Sequence, residues 1–261
     1  MADAQAILTS EEGAVARIVL NRPAAGNSLS MALVEALRAE FDRLATDKAI
    51  KVIVLSGAGG RIFSAGHDLN EFNAQEDIDF LTRDFAGITA LMQQVMAQPQ
   101  IVIAKVEGVA TAAGCELVAA CDLAMASSAA RFAVPGVNIG FWCHTPQVAL
   151  ARTVGRKQAM MLLATGKLFP AAHALSIGLI NEVHEPEGLD AAVDALAVQI
   201  AGKAGSVLRR GKVSFNRQAA LPLAEAYAFA REQALENIVD PDAREGIAAF
   251  LEKRQPDWPG G

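Results

Sequence analysis

Two short segments carry the residue types through which a backbone can do chemistry. Phe63-Ser64-Ala65-Gly66-His67-Asp68-Leu69 follows an apolar run and a glycine-rich loop, and its small residues let a main chain approach a ligand closely. Val106-Glu107-Gly108-Val109-Ala110-Thr111-Ala112-Ala113-Gly114-Cys115-Glu116-Leu117 leaves a second apolar run and enters a short helix. A helix N-terminus presents N–H groups without intrahelical partners, which suits an anion. Glu116 stands about one turn inside it among apolar neighbours, where an unused carboxylate is costly. Moving a proton or positioning water is its first reading. Its second is a charge placed for the helix dipole, worth roughly 0.3–1 kcal/mol. Either segment alone would also serve as a structural turn, so their pairing carries the weight.

The elements that must position them are legible from apolar spacing. Val15 to Leu20 reads as a strand ended by Asn21-Arg22-Pro23, because proline blocks continuation. From Met31 to Ala45 the residues Leu33, Val34, Leu37, Phe41 and Leu44 recur at helical spacing behind Ser30 as N-cap. Val52 to Ser56 and Ile101 to Val106 read as buried parallel strands, with a crossover helix from Phe80 to Gln98 between them and a third strand at Asp122 to Ser127. This alternation predicts a parallel sheet with helical crossovers, an α/β class. Beyond residue 140 helices dominate, with candidates at Pro146 to Ala164, Ala171 to Ser176, Leu189 to Lys203, Val207 to Ala219, Leu223 to Val239 and Asp242 to Arg254. A boundary near 200 divides an α/β core, 1–200, from a helical part, 201–261, whose tail Gln255 to Gly261 is expected to be loose.

Composition narrows the function classes. With 52% hydrophobic and 20% charged residues over 261 positions the chain can bury one large core. A net charge of −6 argues against nucleic acid. The compact basic run Arg209-Arg210-Gly211-Lys212 is read first as a solvated helix face and second as a site for cofactor phosphates. No basic leader and no run of roughly 20 apolar residues is visible, so a cytoplasmic location without membrane contact is expected. Cys115, Cys121 and Cys143 form no CxxC pair and are taken as reduced thiols. His184-Glu185 lacks the second His of a zinc motif because position 188 is Gly, and no metal is expected. Gly57-Ala58-Gly59-Gly60 fails as a dinucleotide fingerprint because position 62 is Ile. Gly211-Lys212 fails as a phosphate loop because Ser206 and Val213 stand at required positions. No GxSxG elbow occurs.

FSAGHDL and VEGVATAAGCELVAACDLAMAS resemble the two diagnostic blocks of the crotonase (enoyl-CoA hydratase/isomerase) superfamily, and the pattern is similar to a divergent branch of enoyl-CoA hydratase domain-containing proteins. NRPAAGNSLS at 21–30, TGKLFPAAHALSIGLINEV at 165–183 and EGIAAFLEKRQPDW at 245–258 resemble further family stretches in the expected order. The resemblance implies a spiral of repeated β-β-α units with a helical C-terminal trimerisation region. It also implies an acyl-CoA thioester as substrate, coenzyme A being part of that substrate and no separate cofactor being needed, and a homotrimer or dimer of trimers as assembly. In such a site the N–H groups of His67 and Ala113 hold the thioester oxygen as it becomes an enolate, each donor worth about 3 kcal/mol. Ala113 stands where the family has Gly, and its Cβ is expected to crowd the hole. The thioester is expected along Ala65, Gly66, Asp68 and Leu69, with Gly114, Gly136, Trp142 and His144 also lining the substrate.

Glu116 matches the Glu of the family's GCEL block, which positions and activates water. His67 enters through its N–H, a side-chain base being the lesser reading, and Asp68 is read as a turn-fixing or capping residue. The departure is Phe132-Ala133-Val134-Pro135-Gly136: Gly136 occupies the position of the second catalytic Glu, so two-carboxylate hydration is not available in its usual form. Cys143 and His144 are read first as packing or loop residues and second as groups near the acyl chain. The implied activity is hydration of a 2-trans-enoyl-CoA, with enoyl isomerisation by Glu116 alone, acyl-CoA binding without turnover, or a scaffold role in a larger complex as alternatives.

Overall fold

The computed structural model describes residues 5–74 and 77–260. Among these residues ten strands form two sheets. β1 (Ile7–Glu12), β2 (Val15–Leu20), β3 (Val52–Gly57), β4 (Ile62–Ser64), β5 (Ile101–Val106), β6 (Val109–Thr111), β7 (Leu123–Ser127), β8 (Arg131–Ala133), β9 (Phe169–Pro170) and β10 (Glu182–His184) appear in chain order. The larger sheet runs β1-β2-β3-β5-β7-β10 and the smaller β4-β6-β8-β9. The chain therefore alternates: β3, β5 and β7 pair in parallel in the large sheet, and each hands on to β4, β6 or β8 in the small one. The helices are α1 (Met31–Thr46), α2 (Leu69–Asn73), α3 (Ile78–Ala97), α4 (Ala113–Ala120), α5 (Pro146–Thr153), α6 (Arg156–Thr165), α7 (Ala171–Ser176), α8 (Pro186–Ala201), α9 (Gly205–Gln218), α10 (Leu223–Ile238) and α11 (Pro241–Glu252).

Period-two alternation splits β3 between two cores. Ile53 and Leu55 face the main core with Leu33, Leu37 and Phe41 of α1 and Leu91 and Val95 of α3, whereas Val52 and Val54 face Leu189, Val193 and Ala197 of α8. A strand covered on both faces reads as a continuous apolar run, which is why the sequence located it within one residue. The short strands β4, β6 and β8 were not foreseen, because three residues carry too little periodicity to register. The single helix expected over Pro146 to Ala164 is two, since Val154 and Gly155 leave helical dihedrals.

The basic run on α9 is neither a solvated face nor a phosphate site at its key residue. Lys212 is buried. Its Nζ donates to the carbonyls of Val95, 3.2 Å, and Gln100, 2.9 Å, and to Asp122 Oδ2, 2.6 Å. It thus satisfies a carbonyl at the C-terminus of α3 and ties α9 to the large sheet. Arg210 pairs with Glu236 of α10. The tail is not loose either. Trp258 Nε1 donates to Gly202 O, 2.9 Å, and Gly260 N to Asp242 Oδ1, 2.8 Å, while Gly261 lies outside the described residues. No single described helix is long and apolar enough to cross a membrane.

Removing one member of a buried ion pair leaves the other without compensation. Lys212→Met is expected to cost about 3 kcal/mol in urea unfolding, and Lys212→Met/Asp122→Asn to recover part of it. Equal stability of the wild type and Lys212→Met would show that this tether does not hold the C-terminal helices.

Candidate active site

The stretch 21–30 organises the first site segment. Asn27, held at φ +50°, accepts from Arg22 N at 2.9 Å and donates through Nδ2 to the carbonyls of Ala58, 3.0 Å, and Ile62, 2.7 Å. Arg22 Nη1 and Ser28 Oγ donate to Asp68 Oδ2 at 2.9 and 3.0 Å, and Asp68 Oδ1 caps α2 by accepting from Asn70 N at 3.1 Å. Burial raises the Asp68 carboxyl, but these bonds more than offset it and hold it below the usual range. The Asp68 side chain is therefore spent on capping and anchoring.

Leu29 N donates to Gly66 O at 2.7 Å. In a trans peptide the C=O and N–H point in opposite directions, so this bond turns the His67 N–H away from Leu29. Across from it, Ala112 O accepts from Glu116 N at 3.0 Å, which aims the Ala113 N–H out of the start of α4 by the same rule. Among the described residues neither N–H has an acceptor within the chain.

The two segments touch backbone to backbone. A Cβ on Gly66, at φ +90°, would lie 2.8 Å from Ala112 Cβ, 2.9 Å from Thr111 O and 3.0 Å from Ala113 N, and one on Gly114 would lie 2.3 Å from Ser64 O. Thr111 Oγ1 also donates to Ala65 O at 3.0 Å. Ala112 sits at φ +51°, ψ −122°, a region that a Cβ disfavours. The strain is held by Ala112 N donating to Ala133 O at 3.0 Å.

Glu116 is 3% exposed and, among the described residues, its Oε2 has no hydrogen-bond partner. Burial pushes its carboxyl up to about 7, and the neighbouring Thr145 hydroxyl opposes the shift without cancelling it. A carboxyl balanced near neutrality in the first turn of the helix that Ala113 opens can accept or return a proton.

The loop 140–145 closes the site. At Gly136 a Cβ would meet Phe141 O at 2.3 Å and Cys143 Sγ at 2.7 Å, so this backbone has filled the space of a side chain at 136. Burial raises the Cys143 thiol, fitting its packing role. Trp142 Nε1 donates to Gln147 Oε1 at 2.9 Å. His144 is exposed, edge-on to Phe141 at 6.1 Å, and Phe141 lies 6.2 Å from Phe85 of α3. Phe85 and Phe72 flank the His67 ring at 5.0 and 5.1 Å. Ala65 and Leu69 are exposed beside this wall. Sequence reasoning missed Thr145, Phe72, Phe85 and Asp84. Asp84 did leave a signal, as the one charge in line with the buried Ile88, Leu91, Met92 and Val95 of α3. Among the described residues no three His, Cys, Asp or Glu side chains group as metal ligands.

The sequence profile of the enoyl-CoA hydratase/isomerase family matches residues 10–261. The chain belongs to that family. It is 43% identical over 251 residues to the enoyl-CoA hydratase domain-containing protein 3, mitochondrial, of Danio rerio, covering 96% of this chain and 86% of the relative. It is 32% identical over 254 residues to the short-chain-enoyl-CoA hydratase of Clostridium acetobutylicum, covering 95% of each. The crystal structure of human enoyl coenzyme A hydratase domain-containing protein 3 superposes with a TM-score of 0.94 at 38% identity, over 97% of this chain and 100% of that one. The crotonase-like α/β fold expected from the motifs is thus present. The expected cytoplasmic location is overturned: relatives from fish, frog, rat, mouse and human, 40–43% identical, are all named mitochondrial.

Two outcomes test this geometry. Because folding holds the Glu116 proton more tightly than the unfolded chain does, its contribution to stability is full below about 4.5, the ordinary value, and fades as pH rises through about 7. Glu116→Gln should therefore raise Tm relative to wild type at pH 8 and change it little at pH 4.5; equal shifts at both would show an unperturbed carboxyl. Ala112→Gly should raise stability by about 1 kcal/mol, strain relief outweighing the added entropy of the unfolded chain. A lower Tm would show that Ala112 is not strained.

Proposed function

We propose that this chain binds an acyl-CoA thioester and hydrates a 2-trans-enoyl-CoA. The observation that carries the reading is the close approach of residues 66–67 to Ala113, each segment with an N–H left free, at the start of the helix whose first turn carries the enclosed Glu116 carboxyl, unpartnered among the described residues. The thioester oxygen accepts from both N–H groups, and each donor stabilises the developing enolate by about 3 kcal/mol. Ionised Glu116 takes a proton from water as the water oxygen bonds to C3. The substrate class named for the Clostridium relative, a short-chain enoyl-CoA, supports this assignment.

Gly136 favours a second reading. With that position sealed by Phe141 O and Cys143 Sγ, Glu116 as sole carboxylate suits a one-proton shuttle, the chemistry of an enoyl-CoA isomerase. The exposed Leu223, Tyr227, Leu235, Phe250 and Leu251 on α10 and α11 support assembly as a homotrimer or a dimer of trimers, since large apolar patches are rarely left to water.

Steady-state hydration of crotonyl-CoA is expected for the wild type, with Glu116→Ala losing 10²-fold or more while retaining CoA-thioester binding by calorimetry. A rate that rises as pH passes about 7 is expected from Glu116 acting as base. Equal background rates in both proteins with intact binding would leave an acyl-CoA binder, and isomerisation of 3-enoyl-CoA without hydration would select the second reading. Gel filtration giving a monomer would remove the trimer.

A further inference from the structure

Position 136 supplies no second acid–base group, yet one other pair of buried titratable side chains meets at this site. His67 Nε2 and Asp84 Oδ2 lie 3.6 Å apart. Both atoms are enclosed and, among the described residues, neither has a hydrogen-bond partner. Asp84 is 3% exposed, and such a group without a partner costs about 1–3 kcal/mol, so its retention on the apolar stripe of α3 asks for a use. The His67 ring forms a cluster with Phe72 and Phe85, tilted 48° and 46° to them at 5.1 and 5.0 Å, the two phenyl rings being 5.6 Å apart. Its main chain is the oxyanion donor, so the imidazole is fixed within one residue of the reacting carbonyl. With Nε2 turned to Asp84, Nδ1 is the nitrogen left for a ligand. Behind the pair, Asp84 lines a groove of 410 Å³ between α1 and α3 that Glu35, Arg38 and Arg83 border.

We propose that His67 and Asp84 form a proton relay that handles the proton at C2 of the acyl thioester, His67 as the catalytic residue and Asp84 as its positioning residue, with the α1–α3 groove connecting the pair to solvent. The proposal rests on the acyl-CoA reading and deepens it. In the forward direction the C2–H bond breaks, the proton goes to Nδ1, and the bonding pair enters C1–C2. The carbonyl π pair moves to the oxygen held by the His67 and Ala113 N–H groups. The Nε2 proton passes to the Asp84 carboxylate. Reversal restores C2–H with a proton drawn from solvent through Asp84. Hydration uses the reverse sense after Glu116 has delivered water to C3. The 3.6 Å gap must close to about 2.8 Å for the transfer.

The charges around the pair suit this role. Burial keeps the imidazole neutral, its pKa lowered to about 4, so Nδ1 can offer a lone pair. Burial and the nearby Glu71 and Asp68 carboxylates raise Asp84 to about 6, and Glu35, Arg38 and Arg83 are the other charged groups facing it from α1 and α3. Asp84 can therefore both lose and regain a proton near neutrality.

The test is deuterium exchange at C2 of butyryl-CoA in D2O, followed by proton NMR, on the full chain. Wild type should exchange, with a rate that rises as Asp84 ionises above about pH 6. His67→Ala keeps the N–H donor, and it and Asp84→Asn should each lose 10²-fold or more in exchange while binding butyryl-CoA as wild type does. Glu116→Gln should keep exchanging although it loses hydration. Exchange at the wild-type rate in both His67→Ala and Asp84→Asn, or loss in Glu116→Gln alone, overturns the relay and assigns C2 to Glu116. Wild type that binds butyryl-CoA without exchange also overturns it but leaves thioester binding standing, whereas no binding at all sinks the acyl-CoA reading itself. Should His67→Ala fail to fold, Asp84→Asn decides.

Discussion

The main chains of residues 61–66 and 108–114 run closer together than side chains permit. A Cβ at Gly66, Gly108 or Gly114 would come within 2.8, 2.1 or 2.3 Å of an opposing atom, distances no packing adjustment of backbone atoms absorbs cheaply. From this contact the rest of the site follows. It brings the ends of β4 and β6, parallel neighbours in the small sheet, to a common point, and it sets the loop at His67 against the start of α4. Each N–H is then aimed by a bond on the opposite side of its own peptide, Leu29 N to Gly66 O in one case and Glu116 N to Ala112 O in the other. The site is thus made by backbone geometry, and glycine is demanded where the segments cross.

The supporting layers hold that contact rigid. Asn27 and Arg22 tie the loop after β2 to the carbonyls of Ala58 and Ile62 and to Asp68, so three chain segments share one network. The two cores on either face of the large sheet anchor the strands that feed it. The strain at Ala112 is tolerated because β8, through Ala133 O, pins its N–H. An outlier of this kind persists only when its surroundings over-determine it, which is itself a measure of how firmly the start of α4 is held.

Electrostatics divides the carboxylates by surroundings and not by type. Asp68, given three donors, stays ionised and structural. Glu116 and Asp84, enclosed without full bonding, are pushed up to about 7 and about 6. Lys212, equally buried, is matched by Asp122 and two carbonyls and serves stability alone. Groups whose charged form is left without compensation are those able to exchange protons near neutral pH.

Apolar spacing and local motif are properties of neighbouring residues, and they were readable directly. The helices at 31–46 and 78–97, the buried strands at 52–57 and 101–106, the two diagnostic blocks and the gap at Gly136 all stand in the sequence, because periodicity and turn chemistry act over a few residues. The three-residue strands, the break at Gly155, the bound tail and the burial of Lys212 depend on partners tens of residues away. So do the direction of the two N–H groups, the strain at Ala112, the sealing of position 136 by the loop 140–145, and the meeting of His67 with Asp84. Each is a contact between segments that only the packed chain brings together, and no local pattern encodes which buried polar atom will be left without a partner.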